Sequence, residues 1–186
     1  IPINTSIGAG NTSVRVVLLQ NNSLIEIPSQ LYNQTYSNGK ITSANAVIMD
    51  TFSRNQTKTY YYYYSYGTPP AASYTSDLQI TYGSSFQNSI FTANTSAALG
   101  GTLTSMRSKY SGLELTGMQP PMGSPDVMIA TLSFKAINAT SLATSLSNGT
   151  VFARYWANGS YIFLNYTMLY TFYSGLNYFT VETNVS

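Results

Sequence analysis

The sequence predicts an all-β protein: an antiparallel β-sandwich, immunoglobulin-like or pilin-like, with a separate N-terminal strand. Three observations predict it. Short runs rich in Val, Ile, Thr, Tyr and Phe alternate apolar with polar residues, the period-two signature of strands with one buried face. Asn-Gly, Pro-Pro and Gly-Gly steps interrupt these runs at short intervals, as turns between antiparallel strands do. Charged residues make up only 8%, yet 17 Tyr and 8 Phe supply a packed core and argue against disorder. The 186 residues divide into a strand and hinge at 1–10 and one sandwich domain at 11–186.

The first element runs Ile1-Pro2-Ile3-Asn4-Thr5-Ser6-Ile7-Gly8-Ala9-Gly10. It sets Ile1, Ile3, Thr5, Ile7 and Ala9 on one side, and Gly8-Ala9-Gly10 reads as a hinge. Such a strand either folds back on its own sheet or adds to the exposed edge of a neighbouring subunit. The pattern leaves both open. No initiator methionine and no basic or long apolar leader opens the chain, so Ile1 reads as the end left by removal of a secretion signal.

Strands are then expected at Val14–Gln20 and Leu24–Ile27, closed by Asn21-Asn22-Ser23 and Pro28. Ser37-Asn38-Gly39-Lys40 is a hairpin turn, and Ala46–Phe52 a strand. The run Thr59–Tyr66 alternates its tyrosines between two faces, burying one set and exposing the other, which reads first as a plain structural strand and alternatively as a band for sugar or subunit packing. Further strands fall at Asp77–Tyr82, Phe86–Thr92 and Val127–Ile137, with Thr116–Pro125 a long loop and 96–112 holding one helical turn. Leu142 and Leu146, four apart and followed by Asn148-Gly149, predict a short helix over Thr140–Ser147. Ala157-Asn158-Gly159-Ser160 reads as the turn of a hairpin between Val151–Trp156 and Tyr161–Phe172, and Leu176–Val185 closes the chain.

Composition removes several kinds of chemistry. With no cysteine and no histidine, the chain has no thiolate ligand, no imidazole base and no imidazole metal ligand. Ser37 and Lys40 have the spacing of an acylase nucleophile and its lysine, but that pair needs a helix, and Asn38-Gly39 makes a turn. The six carboxylates (Glu26, Asp50, Asp77, Glu114, Asp126 and Glu182) are scattered and form no Asp-x-Asp-x-Asp calcium loop. Protonating all six moves the formal charge only from +2 to +8, which suits an acidic setting. Lys135 lies within an apolar strand, the setting for an isopeptide cross-link to an Asn or Asp side chain if an acid stands nearby. Eight dispersed Lys and Arg residues make no nucleic-acid patch, and no apolar run approaches the roughly 20 residues of a transmembrane helix. The expectation is a non-enzymatic protein without metal or cofactor.

What the chain has in excess is Asn-x-Ser/Thr. Of sixteen asparagines, eleven begin such a triplet: Asn4, Asn11, Asn21, Asn33, Asn55, Asn94, Asn138, Asn148, Asn158, Asn165 and Asn184. Serine and threonine fill 48 of 186 positions, so chance gives about four. Each triplet is a candidate acceptor for a covalent N-linked glycan in an exported protein. Strand phase agrees: over Tyr161–Phe172 the even positions are apolar, with Asn165, Thr167 and Thr171 on the odd face, and Asn184 opposes Phe179, Val181 and Val185.

Together, the alternating tail Ile1–Ala9 with its Gly8-Ala9-Gly10 hinge, the acceptor triplets and the charge-poor, Tyr/Thr-rich body resemble subunits of archaeal extracellular filaments. The likeness is to the thin thread filaments of thermoacidophiles. The resemblance implies a glycosylated β-sandwich joined head to tail to identical subunits, with Ile1, Ile3, Thr5, Ile7 and Ala9 inserted as a donor strand into the next subunit's sheet. It further implies a cell-surface location and a role in adhesion or biofilm, with a surface or polysaccharide as target. Type IV pilins differ in opening with a long apolar helix. A monomeric, glycosylated surface-layer-associated or carbohydrate-binding module is the alternative.

Overall fold

The structure, a computed structural model, describes residues 2–10, 12–81, 84–114, 126–129, 132–135, 141–161 and 164–186. It is all-β, and every strand pairing among the described residues is antiparallel. Where the sequence leads us to expect one domain over 11–186, the chain divides into two compact units, Ile1–Thr75 and Ser76–Ser186. The boundary follows Gly67-Thr68-Pro69-Pro70-Ala71-Ala72-Ser73, a stretch whose composition ends a strand and equally suits a connector.

The first unit holds β1 (Pro2–Ala9), β2 (Arg15–Gln20), β3 (Ser23–Glu26), β4 (Ser29–Ser37), β5 (Lys40–Ile48) and β6 (Thr59–Tyr63). They form two three-stranded sheets, ordered β1-β5-β4 and β3-β2-β6. Asn38 and Gly39 both have positive φ (50° and 72°), the geometry of the expected two-residue hairpin between β4 and β5. Two small clusters form its core: Ala9, Ile41 and Ala44 in one, Val16, Leu18 and Ile27 in the other. Tyr60 and Tyr62 pack against the second cluster, while Tyr61 and Tyr63 are exposed on the opposite face.

The second unit holds β7 (Gln79–Thr81), β8 (Ser85–Gln87), β9 (Phe91–Ser96), β10 (Thr102–Ser108), β11 (Asp126–Ile129), β12 (Leu132–Lys135), β13 (Ser141–Ser147), β14 (Phe152–Tyr161), β15 (Leu164–Tyr173) and β16 (Phe179–Val185). Two four-stranded sheets, β10-β9-β8-β7 and β13-β14-β15-β16, share one core. Phe86, Phe91, Ala93 and Leu103 come from the first; Tyr155, Tyr166, Met168, Tyr170 and Phe172 come from the second. Phe86 stacks on Phe172 with ring centroids 4.2 Å apart. The even-numbered residues of β15 form this core, and Asn165 and Thr167 face away. Thr171 shares their face but, unlike them, is buried, with its hydroxyl unpartnered.

Four local expectations are overturned. Thr140–Ser147 is expected as a helix, but Ser141–Ser147 is the strand β13. A spacing of four is also a multiple of two, so Leu142 and Leu146 satisfy the strand period as well as the helical one. Phe86–Thr92 is not one strand, because Asn88 turns the chain between β8 and β9. The run 127–137 is two strands, β11 and β12, whose register sets Asp126 across from Lys135. Finally, Ala157–Ser160 is strand rather than turn, since β14 and β15 pair without interruption from Phe152↔Tyr173 to Tyr161↔Leu164. A side chain at Gly159 would run into the Tyr166 ring, so this glycine makes room for packing. The helical turn expected within 96–112 is a short 3-10 turn at Ala97–Leu99, and the loop expected at Thr116–Pro125 lies outside the described residues.

Candidate assembly strand and glycan acceptors

Residues 2–9, the expected donor strand, pair in this chain with β5, in the register Pro2↔Asn45, Ile3↔Ala44, Asn4↔Ser43 and Ala9↔Ile41. Ile3 and Ala9 are buried, at 7% and 0% exposure, and Pro2 faces solvent. The side chains of Thr5 and Ile7, and all of Ile1, lie outside the described residues. β1 is the outermost strand of its sheet. Its C-terminal end, expected as a hinge, is a clamp. Gly8, Ala9 and Gly10 are all buried, and the Gly10 amide donates to the Ser65 carbonyl at 2.7 Å. The Ser13 hydroxyl lies 2.9 Å from the Gly10 carbonyl and 2.8 Å from that of Ser65, and accepts from the Ser65 amide. A side chain on Gly10 would collide with the Gly67 carbonyl. Glycine is there for close approach rather than free rotation.

Three candidate acceptors share one face of the β13–β16 sheet. Asn158 on β14 and Asn184 on β16 both pair with Thr167 on β15, and Asn165 stands two residues before Thr167. All three asparagines are exposed. With strands spaced about 4.8 Å, Asn158 and Asn184 are separated by about 10 Å. The Thr167 hydroxyl between them donates to Asn158 Oδ1 at 2.8 Å. Asn148, beyond the end of β13, is exposed as well.

In the first unit, Asn21, Asn33 and Asn55 are exposed, and each has positive φ (50°, 50° and 62°). Asparagine tolerates this region better than most residues, which by itself accounts for the residue type. It does not account for the hydroxyl two positions on. Asn22 and Asn38 share the conformation but are followed there by Leu24 and Lys40. Asn21 lines a cavity of about 210 Å³ together with Gln56, Thr57 and Lys58, which follow Asn55. Asn94 is half-buried on β9, an interior strand, and is the least accessible acceptor described. The side chain of Asn4, and all of Asn11 and Asn138, lie outside the described residues.

Two polar clusters were not visible in the sequence. Asp50 accepts from Lys58 (2.7 Å), Tyr60 (2.8 Å) and the Thr51 amide (2.7 Å), and Lys58 also lies 5.0 Å from the Phe52 ring centroid. The lysine bond lowers the Asp50 pKa against the effect of burial, and burial with the adjacent carboxylate pushes Tyr60 up to about 12. Asp77 accepts from the Ser174 hydroxyl, the Gly175 amide and the Ser89 amide at 2.7–2.8 Å. Burial opposes its ionisation, but these bonds prevail and bring it down to about 2. Both clusters tie turns to strands. The Ser37 and Lys40 side chains flank the turn, and the Lys40 ammonium donates to the Tyr66 carbonyl. Among the described residues no three acidic side chains come together, and no helix is long and apolar enough to cross a membrane.

Comparison with protein-family models, with curated proteins and with solved structures found no match.

Proposed function

We propose that this chain is a structural subunit of a glycosylated extracellular filament, polymerising head to tail by exchanging β1 between neighbours. The observation that carries the reading is the place of β1. It is an outer strand bound along one side only, to β5, so β1 of a second copy can take the same position with the same main-chain bonds. Reinserting Ile3 contributes about 1.5–3 kcal/mol, and the ladder bonds add to it. Exchange around a ring is disfavoured when the contact does not close, and the product is then an open polymer. On this reading the two sheets of each unit form small sandwiches, and glycans on Asn158, Asn165 and Asn184 coat the outer face of one of them.

A second reading has its own support. β1 pairs at home here, and the exposed Tyr61, Tyr63, Tyr64 and Tyr66 offer ring faces to a sugar, as a monomeric carbohydrate-binding module requires. Electron microscopy and sedimentation of the purified protein separate the two. Filaments that vanish when residues 1–9 are deleted, with the deletion protein binding a synthetic 1–10 peptide, support strand exchange. Particles of unit mass, or assembly indifferent to the deletion, overturn it.

A further inference from the structure

Every sheet in the described chain ends in two outer strands, and nearly all of them carry some device against pairing with another molecule. β1 holds Pro2 and an irregular register, and β4 is bulged twice. β10 is bulged, carries Arg107 and is flanked by Glu114, which bridges to it. β16 bears Glu182 and the acceptor Asn184, and β3, β7, β11 and β12 are four residues or fewer. β6 has five residues, four of them consecutive tyrosines that fit several registers equally.

β13 has none of these. It is seven residues of Ser, Leu, Ala and Thr, paired with β14 from Ser141↔Ser160 to Ser147↔Arg154 without a bulge. It is the outermost strand of its sheet, and Ala143, Thr144, Ser145 and Leu146 are exposed. No acceptor triplet begins within it; Asn138 and Asn148 lie beyond its two ends.

The sequence of this edge is close to a palindrome, Ser141-Leu142-Ala143-Thr144-Ser145-Leu146-Ser147. We infer that β13 is a homodimer edge: two copies pair β13 to β13, antiparallel, about a two-fold axis through Thr144. In that register Ser141 stands opposite Ser147, Leu142 opposite Leu146, Ala143 opposite Ser145 and Thr144 opposite itself. A one-residue slip breaks each of these matches, so the palindrome specifies the register as well as the partner. The two four-stranded sheets become one of eight. Leu146, 39% exposed beside Tyr155 at the margin of the core, gains an apolar neighbour across the axis. The contact is isologous and closed, and it is independent of strand exchange through β1. In a filament it joins two strands of subunits side by side.

The axis position supplies the test, because any charge at residue 144 meets its own copy. Full-length Thr144→Lys and Thr144→Glu are compared with the unaltered protein by sedimentation velocity, and by electron microscopy for lateral pairing if filaments form. The unaltered protein dimerises reversibly, each variant alone dimerises roughly tenfold more weakly or worse, and an equimolar mixture of the two recovers the dimer. Recovery on mixing shows that both variants are folded. A monomer persisting into the millimolar range, variants that dimerise like the parent, or no recovery on mixing overturns the proposal.

Discussion

Among asparagines with described side chains, Asn88 alone is buried, and it begins no acceptor triplet. Its amide donates to the carbonyls of Tyr173 (3.1 Å) and Leu176 (2.8 Å), and its Oδ1 accepts from the amides of Ile90 and Phe91. The two donations and two acceptances fill the side chain's capacity, and they fasten the β8–β9 turn to the β15–β16 turn. Asn88→Ala is expected to cost about 3 kcal/mol, read from urea denaturation, because four buried or partly buried main-chain groups lose their partner. Asp77 works on the same turn through its carboxylate. Its folded pKa lies below the unfolded value of 3.8, so its stabilisation is complete above about pH 4 and disappears as the pH falls through about 2. Asp77→Asn should therefore flatten the stability curve in that window and cost about 1–2 kcal/mol at pH 7, allowing for screening of a half-exposed group. Neither role was legible in the sequence. Asn88 and Asp77 sit among ordinary turn residues, and their partners on the β15–β16 turn lie 85 and more positions away. The outward placement of Asn165 and Asn184 was legible, because strand phase tells which face a residue takes.

Elements were legible where period two stood alone. The even-numbered aromatics of β15 gave its core face directly, and Asn38-Gly39 gave its hairpin. They were not legible where two rules agree on one pattern: a four-residue spacing in β13 serves helix and strand alike, and Asn158-Gly159 looks like a turn but lies within β14. Packing decides the second case, since Tyr166 occupies the room a side chain at 159 would need. Gly159→Ala is accordingly expected to lower stability by about 2–4 kcal/mol in thermal or urea unfolding, far more than loss of helix- or turn-forming preference would explain. Gly10→Ala should cost a similar amount, because the Gly67 carbonyl cannot yield without breaking the clamp around Ser13 and Ser65.

At the scale of the whole molecule the two units differ in what holds them. Among the described residues the second joins both of its four-stranded sheets in a single core of eleven buried residues, dense in aromatic pairs, whereas the first has two clusters of three. Hydrogen exchange should reflect this, with amides of β14 and β15 protected longest and those of β2 and β5 opening earlier; equal protection would contradict it. The boundary after Thr75 was illegible because no local rule separates a turn from a connector. The clamp at Gly10 carries a consequence for any polymer these units build through β1. With residue 10 held fast, a released strand is a tether of eight residues and reaches no farther than about 27 Å at 3.4 Å per residue. The distance from the clamp of one subunit to the far end of the next subunit's β5 is then bounded by covalent geometry, and the axial repeat of the polymer inherits a molecular ruler.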